Sequence, residues 1–475
     1  MNQGFSKFVN YALRVIFSII AVGVVGMLGM YMFFQNSIVN IPLIAVYVCF
    51  TLLFIYALRK KIDCKIILGV IIAGGFLLRI MWCFSIKNYP ASDYKTIYDS
   101  AQLFLQGNKS MFFGTSYFAR FPHLIIFVMY VASVIKMFGS QSLIVLKLIN
   151  VIFSTISIYM IYRIAEEIFK DKKKSMVTVF IAALFPASII YTAVYCTENI
   201  AILFYLISVY IFVLVMNNKK NDKYLILSGL MLLIGHLFRM AAQVVICAYI
   251  LYILIYFRKK VKEKAKCIVY VTASFIIPLI IVGNVIVYTG ITDTKIWSGK
   301  EPAITSVLKG SNLKSAGKWN EEDAKFIENN LGDTEKLKSR SKEIIIERYT
   351  SASPFEITKF IVTKVVSQWF QGDFGGSYWA QLDTKNDDMI IDMVNKGAVW
   401  NQVFYLVIFG MTLIGLFRSR EYLSNKIINL LYIIFCGYGL LFLIIESQAR
   451  YGFIVSWLFV LLPATFMKNN KQPLL

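Results

Sequence analysis

Apolar stretches close to the length of a bilayer crossing recur along the whole chain, and nothing else in the sequence limits the fold so tightly. They fall at 11–34, 41–58, 66–86, 143–169, 175–197, 198–216, 224–238, 241–257, 267–289, 398–417, 427–445 and 452–467. A helix needs about 20 mostly apolar residues to cross the hydrocarbon core, and helices are the natural way to satisfy the backbone there. About twelve such runs predict an all-α polytopic membrane protein. Of 475 residues, 58% are hydrophobic and 16% charged, which no soluble domain of this size resembles. The first run, Val15 to Phe34, is long for a signal-peptide core and lacks a clear cleavage site, so it reads as a retained span.

The net charge of +22 would suit a polyanionic partner if it were concentrated. Instead the basic residues sit in short clusters between apolar runs, at Arg59–Lys61, Lys170–Lys174, Lys219–Lys223, Arg258–Lys266, Arg418–Lys426 and Lys468–Lys471. That is the positive-inside pattern, which reports topology and gives no reason to expect nucleic acid. Placing every cluster in the cytoplasm puts both termini inside. Phe121 to Phe138 then breaks the alternation, because a crossing there would move Lys170–Lys174 outside. The expectation is a juxtamembrane or shallow helix over 121–138 on the outer side.

The same alternation places the loop after the third run, the turn at Thr197-Glu198, the stretch Thr289–Lys396 and the loop Glu446–Tyr451 on the outer face. Four segments follow: an N-terminal transmembrane hairpin (1–65), a transmembrane core with an outer loop at 87–142 (66–289), an extracytoplasmic domain (290–397) and C-terminal transmembrane helices (398–475). Within the third, Trp319–Arg348 is charged and helix-prone. Pro354 begins an amphipathic helix through Trp369, and QGDFGGSYWAQLD follows as a Gly-aromatic loop of the kind that contacts sugars or a membrane surface. The seven cysteines show no C-x-x-C spacing and only two histidines exist, which argues against a disulfide framework or a cysteine or histidine metal centre.

Chemistry concentrates at the outer side. In IKNYPASDYKTIYDSAQLFLQG (86–107), Ser92 reads as an N-cap with Asp93 in the first turn. Tyr94, Ile97, Tyr98, Ala101 and Leu105 recur at helical spacing, and Gly107 stops the pattern. The result is an amphipathic surface helix with a carboxylate at its mouth. Glu198 opens a span, Arg239 sits where two short runs meet, and Glu446 and Arg450 flank ESQARYG. Ionisable groups in such places cost free energy, and each alone is most simply a capping, paired or snorkelling residue. Two acids and two arginines on one face predict instead a shared cavity. Carboxylates there serve as base or hydroxyl contact, and guanidinium groups grip phosphate. His236 reads as a packing residue; His123, beside Arg120 and Pro122, suits either role.

With those residues in order, the chain resembles the GT-C superfamily of membrane glycosyltransferases, closest to the branch of protein O-mannosyltransferases and aminoarabinose or related envelope-sugar transferases. The likeness runs over 66–290 and returns at 440–467. It is carried by PASDYKTIYDSAQLFLQG, RFPHLIIFVMYVASVIKMFG, LKLINVIFSTISIYMIYRIAEEIF, FPASIIYTAVYCTENIAILF, SGLMLLIGHLFR and ESQARYGFIVSWLFVLLP. The resemblance implies a GT-C-like helix bundle with outer juxtamembrane helices, and transfer of a sugar from a polyprenyl-phosphate donor at the outer membrane face. It puts Asp93 in the place of the first-loop catalytic carboxylate, Glu198 in that of a second acid, and Arg450-Tyr451 in that of a late basic element near the lipid phosphate. Arg239, Arg120, Glu446 and His123 fall in as donor-binding candidates. Asp93 is followed by Tyr94 where several branches have Asp-Glu, which leaves protein Ser/Thr as acceptor in question.

The chemistry expected is inverting. Asp93 takes the proton of an acceptor hydroxyl as that oxygen attacks the anomeric carbon, and arginines meet the charge on the departing phosphate. Glu198 would hold a hydroxyl, or a divalent cation together with Asp93; metal-free and metal-dependent versions both stand. The acceptor is a cell-envelope molecule: a cell-wall glycopolymer, a glycolipid or a protein. Two other classes compete. A flippase would explain short, charge-bearing spans, but no inverted repeat relates the halves. An envelope-polymer ligase would need paired arginines in a large outer loop, and 289–396 offers only Arg340 and Arg348.

Overall fold

The computed structural model describes residues 2–34, 41–60, 62–382, 388–418 and 425–468. Lys61 and the parts of the last two basic clusters at 419–424 and 469–471 lie outside them. Every regular element among the described residues is helical. The first half of the chain comprises α1 (Asn2–Phe34), α2 (Ile41–Arg59), α3 (Cys64–Ser85), α4 (Asp93–Leu105), α5 (Tyr117–Arg120), α6 (Ile125–Phe138), α7 (Ser142–Phe169), α8 (Lys172–Leu184), α9 (Pro186–Ile190), α10 (Glu198–Met216) and α11 (Tyr224–Phe238). The second half comprises α12 (Ala242–Tyr256), α13 (Val261–Tyr288), α14 (Ile304–Gly310), α15 (Glu321–Asn329), α16 (Thr334–Ser351), α17 (Pro354–Trp369), α18 (Gly376–Gln381), α19 (Asp388–Phe417), α20 (Lys426–Ile444), α21 (Ala449–Gly452) and α22 (Leu458–Leu461).

Among the described residues, seven helices are long and apolar enough to cross a membrane, and nine if each of two bent pairs counts as one span. Tyr47–Arg59, Tyr224–Phe238 and Ala242–Tyr256 are shorter apolar helices. The protein is therefore an all-α, multi-pass membrane bundle. Two runs that the sequence presents as continuous are not. The run 175–197 bends by 48° between α8 and the helical turn Pro186–Ala193, and the last run bends by 60° between Ala449–Val455 and Leu458–Phe466. The first break has a local cause, since Pro186 cannot continue a helix and pushes Phe185 to extended backbone (ψ 113°).

That break leaves the last carbonyls of α8 without helical partners inside the bundle. Arg79 of α3, fully buried, caps them: its guanidinium donates to the carbonyls of Ala183 (3.0 Å) and Ala182 (3.3 Å). It also donates to Ser154 Oγ, Ser188 Oγ and the Gly75 carbonyl. All five donors are used, and a cation at a helix C-terminus is favourable. Arg79→Lys keeps the charge but loses the fork, and at least two charge-assisted bonds at about 1.5–3 kcal/mol each go with it. The expected result is a clear fall in melting temperature in detergent; an unchanged melt would show that the cap does not matter.

The 48 residues from Pro122 to Phe169 run on as one apolar helical stretch, which if straight would measure about 72 Å against a hydrocarbon core of about 30 Å. Gly139, at φ 53°, divides it. Before that break α6 is only 14 residues, about 21 Å, and it packs along α4 and against α7 and α11.

The bundle is knit by α10 against α7 and α11, α11 against α13, and α1 against α19. Phe459 stands at the centre of an aromatic cluster that includes Phe17, Trp369, Phe374, Tyr405, Phe409 and Phe435, with ring centroids 5.7–6.1 Å from it. One end of the bundle gathers the basic loops: Lys219 pairs with Glu167 at 2.8 Å, Lys259 with Asp222 at 2.7 Å, and Asn425 donates to the Ile168 carbonyl. The loops at Asp93, Glu198, Arg239 and Arg450 meet at the other.

Over that second end lies the stretch after α13. The charged segment 319–348 is two helices, α15 and α16, around a small core of Leu308, Ile327 and Leu337. Arg348 ties them by pairing with Asp323 at 2.5 Å, and Arg340 pairs with its neighbour Glu343. Burial works against the Asp323 carboxylate, but hydrogen bonds from Arg348, Asn320 and Asn312 outweigh it and hold its pKa below the ordinary 3.8. A depressed carboxylate contributes stability that is full above the unfolded value and is lost as pH falls through the folded one. The protection of α15 and α16 against hydrogen exchange, corrected for the intrinsic pH dependence of amide exchange, should therefore hold steady to about pH 4 and fall below it. An Asp323→Asn variant should lose that step.

Candidate functional site

Two loops carry the acids, and one lysine–asparagine pair ties them together. Lys147, near the start of α7, donates to the Ile86 carbonyl (2.7 Å) and to Asn88 Oδ1 (2.9 Å). Asn88 in turn donates to the Ala193 carbonyl, and its own carbonyl accepts from Tyr195. Asn150 holds the Val194 carbonyl from the same helix. The approach to Asp93 and the approach to Glu198 are thus one hydrogen-bonded unit. Ser92 occupies the N-cap position but makes no side-chain cap bond, and its φ of 51° is left-handed. The expected serine cap is therefore absent, and the turn that aims Asp93 carries backbone strain.

Arg239 is fixed differently. Thr197 donates to the Phe238 carbonyl and Tyr205 to that of Arg239, while Tyr438 donates to that of Ala241. The Arg450 loop is held from α17, where Gln368 donates to the Gln448 carbonyl and Lys364 to that of Leu443. Tyr191 stacks on Phe453 at 3.8 Å.

These loops bring Asp93, Glu198, Arg239, Arg450 and Tyr451 together. Arg450 Nη2 lies 3.5 Å from Asp93, and Arg239 Nε lies 3.5 Å from Glu198. The acids differ in access: the Asp93 side chain is 41% exposed and that of Glu198 3%. The Arg450 guanidinium stacks on Trp379 at 4.2 Å and lies 5.5 Å from the Tyr451 ring, which Arg239 approaches equally. Such stacking holds a guanidinium plane without consuming its donors. Arg450 Nε is buried and has no hydrogen-bond partner among the described residues. An unmet charged donor of this kind costs about 1–3 kcal/mol or more until something accepts from it.

Two further aromatics complete the mouth. Tyr117 lies within hydrogen-bonding reach of Asp93, and burial followed by the Asp93 charge pushes its hydroxyl above the ordinary phenol range. Tyr94 is buried between the pairs and packs edge-on against Trp379 at 5.6 Å. Neither tyrosine was singled out by residue type. Trp379 lies in the Gly-aromatic loop, whose composition signalled contact without saying with what.

Other candidates stand apart. Arg120 pairs with Glu301 (2.8 Å) and Glu328 (3.4 Å). Glu446 contacts Lys309, Gln448 and the Tyr451 hydroxyl, and so meets the site through Tyr451. His123 lies close enough to feel the Arg239 charge. His236 is buried edge-on against Phe275 at 5.1 Å. Asp93 and Glu198 are each balanced by an arginine, and no group of three or more metal-ligating side chains gathers among the described residues.

Residues 123–285 match the family model of dolichyl-phosphate-mannose-protein mannosyltransferase. The match bears out the GT-C resemblance read from the sequence; it takes in Glu198 and Arg239 and begins after Asp93. No curated protein gave a significant match. Among solved structures, the chain is similar to the oligosaccharyltransferase AglB of Archaeoglobus fulgidus in complex with an inhibitory peptide and a dolichol-phosphate (13% identity, 86% of this chain and 50% of that one, TM-score 0.47). It is also similar to the oligosaccharyltransferase of the same organism tethered to an acceptor peptide (12% identity, 86% and 49%, TM-score 0.48). The chain spans about half the length of these proteins.

Proposed function

We propose that this protein is a glycosyltransferase that moves a sugar from a polyprenyl-phosphate donor to a hydroxyl of a cell-envelope acceptor, with inversion, at the outer face of the membrane. The observation that carries the reading is Arg450: stacked, buried, and with an Nε–H donor that nothing among the described residues meets. A phosphate oxygen satisfies it. Asp93, the more exposed acid, accepts the acceptor's hydroxyl proton as its oxygen bonds to the anomeric carbon. The anomeric carbon–oxygen bond breaks with its electron pair going to the phosphate, and Arg450 and Arg239 face that charge. Glu198, too enclosed to meet an acceptor, keeps Arg239 in place. Tyr117 orients Asp93, and the basic end of the bundle, with both termini, faces the cytoplasm.

The test is transfer from radiolabelled polyprenyl-phosphate sugars in membranes that carry the wild-type protein, with binding of polyprenyl phosphate measured alongside on purified protein. Labelled envelope product supports the reading. Absence of both transfer and binding overturns it, and binding without transfer turns the assignment toward a carrier.

A further inference from the structure

The stretch after α13 does more than cover the site. Glu301 and Lys309 of this stretch form a line of charge that joins three segments far apart in sequence. Glu301 Oε2 accepts from Arg120 in the first loop, and Oε1 accepts from Thr305 and faces Lys309 at 3.6 Å. On its other side, Lys309 Nζ lies 3.7 Å from Glu446 Oε2. The second oxygen of Glu446 accepts from Gln448 (2.8 Å) and from the Tyr451 hydroxyl (3.2 Å). The Tyr451 ring is the surface against which both Arg239 and Arg450 rest.

The backbones are as close as the charges. Glu446 N–H donates to the Ser306 carbonyl and Ser447 N–H to that of Gly317. A Cβ at Gly310 would collide with the backbone of Ile444 and Ile445, and one at Gly299 with that of Arg120. Lys309 is one-tenth exposed and Glu446 barely more, so neither charge is left to water.

We infer that Lys309 is a positioning residue for the phosphate-facing arginines, acting through Glu446 and Tyr451; this rests on the function proposed above. Lys309 neutralises a carboxylate that is linked through Tyr451 to two arginines. Without that cation, Glu446 is a nearly buried anion left with Lys364, which also feels its charge, and with the two arginines across the Tyr451 ring, and it competes with phosphate for those arginines. Lys309 therefore keeps Glu446 turned to Tyr451 and the arginines free for the donor.

The experiment measures affinity of purified full-length protein for polyprenyl phosphate alone, with a thermal melt to establish folding. Lys309→Met should weaken binding about tenfold, and Lys309→Arg by no more than about threefold. The deciding variant is Lys309→Met/Glu446→Gln, which removes the stranded anion and should return affinity to within about threefold of wild type. A lysine that merely held two segments together would not be rescued by deleting its partner. Wild-type affinity in Lys309→Met, or a double variant as weak as the single, overturns the inference. Should Lys309→Met fail to fold, the double variant, which strands no charge at Glu446, decides alone. Failure of the wild type to bind sinks the functional reading itself and this inference with it.

Discussion

Sugar transfer by an Asp93→Asn variant is expected to fall about a hundred- to ten-thousandfold, the range that a positioned general base contributes. Asparagine keeps the shape of the side chain and an oxygen that can still accept from Arg450, but it cannot take a proton. Asp93 lies at the mouth of the site with 41% of its side chain exposed, so little burial is at stake and the fold should survive. Affinity for polyprenyl phosphate should stay within a few-fold, because the arginines and not the carboxylate face the phosphate. Radiolabelled transfer at matched expression, beside that binding measurement, separates the two effects. Undiminished transfer would remove Asp93 from the chemical step.

Arg450→Lys should cost about a hundred- to a thousandfold in transfer, comparable to removing a preorganised donor from a site of developing charge. The substitution keeps the positive charge and discards the plane. Lysine has no flat face to stack on Trp379, no Nε–H in the pocket and no fork for two phosphate oxygens. Unlike Asp93→Asn, this variant should lose donor affinity as well as turnover, since the phosphate is bound both before and after it leaves. If Arg450→Lys transfers as well as wild type, charge alone suffices and the unmet Nε donor is not the anchor proposed here.

How the site was legible differs residue by residue. Asp93, Glu198, Arg239 and Arg450 stood out because ionisable groups at the ends of apolar runs cost free energy, and the cost itself marks them. Arg120 looked equivalent by that test. Its pairing with Glu301 requires a segment about 180 residues away, which no local pattern announces. Lys309 lay in a charged stretch where any lysine reads as solvated, and Trp379 in a loop whose composition suggested contact in general. Ser92 satisfied the rule for a helix cap and yet makes no such bond, because the turn that aims Asp93 takes its backbone elsewhere.

The helical class, the multi-pass character and the gathering of basic loops at one end followed from sequence alone, whereas of the twelve runs only seven to nine are crossings by length among the described residues. A bilayer demands apolar runs of a set length and biases basic residues into the loops between them, and both are one-dimensional properties. The break at Pro186 was written in the sequence as well, but its repair was not. Arg79 could be known as the cap of α8 only once α3 and α8 were side by side. Tertiary structure alone decided which acid meets which arginine and which arginine keeps a donor free. Pairing energies depend on distances of a few ångströms between segments that the chain order leaves unrelated.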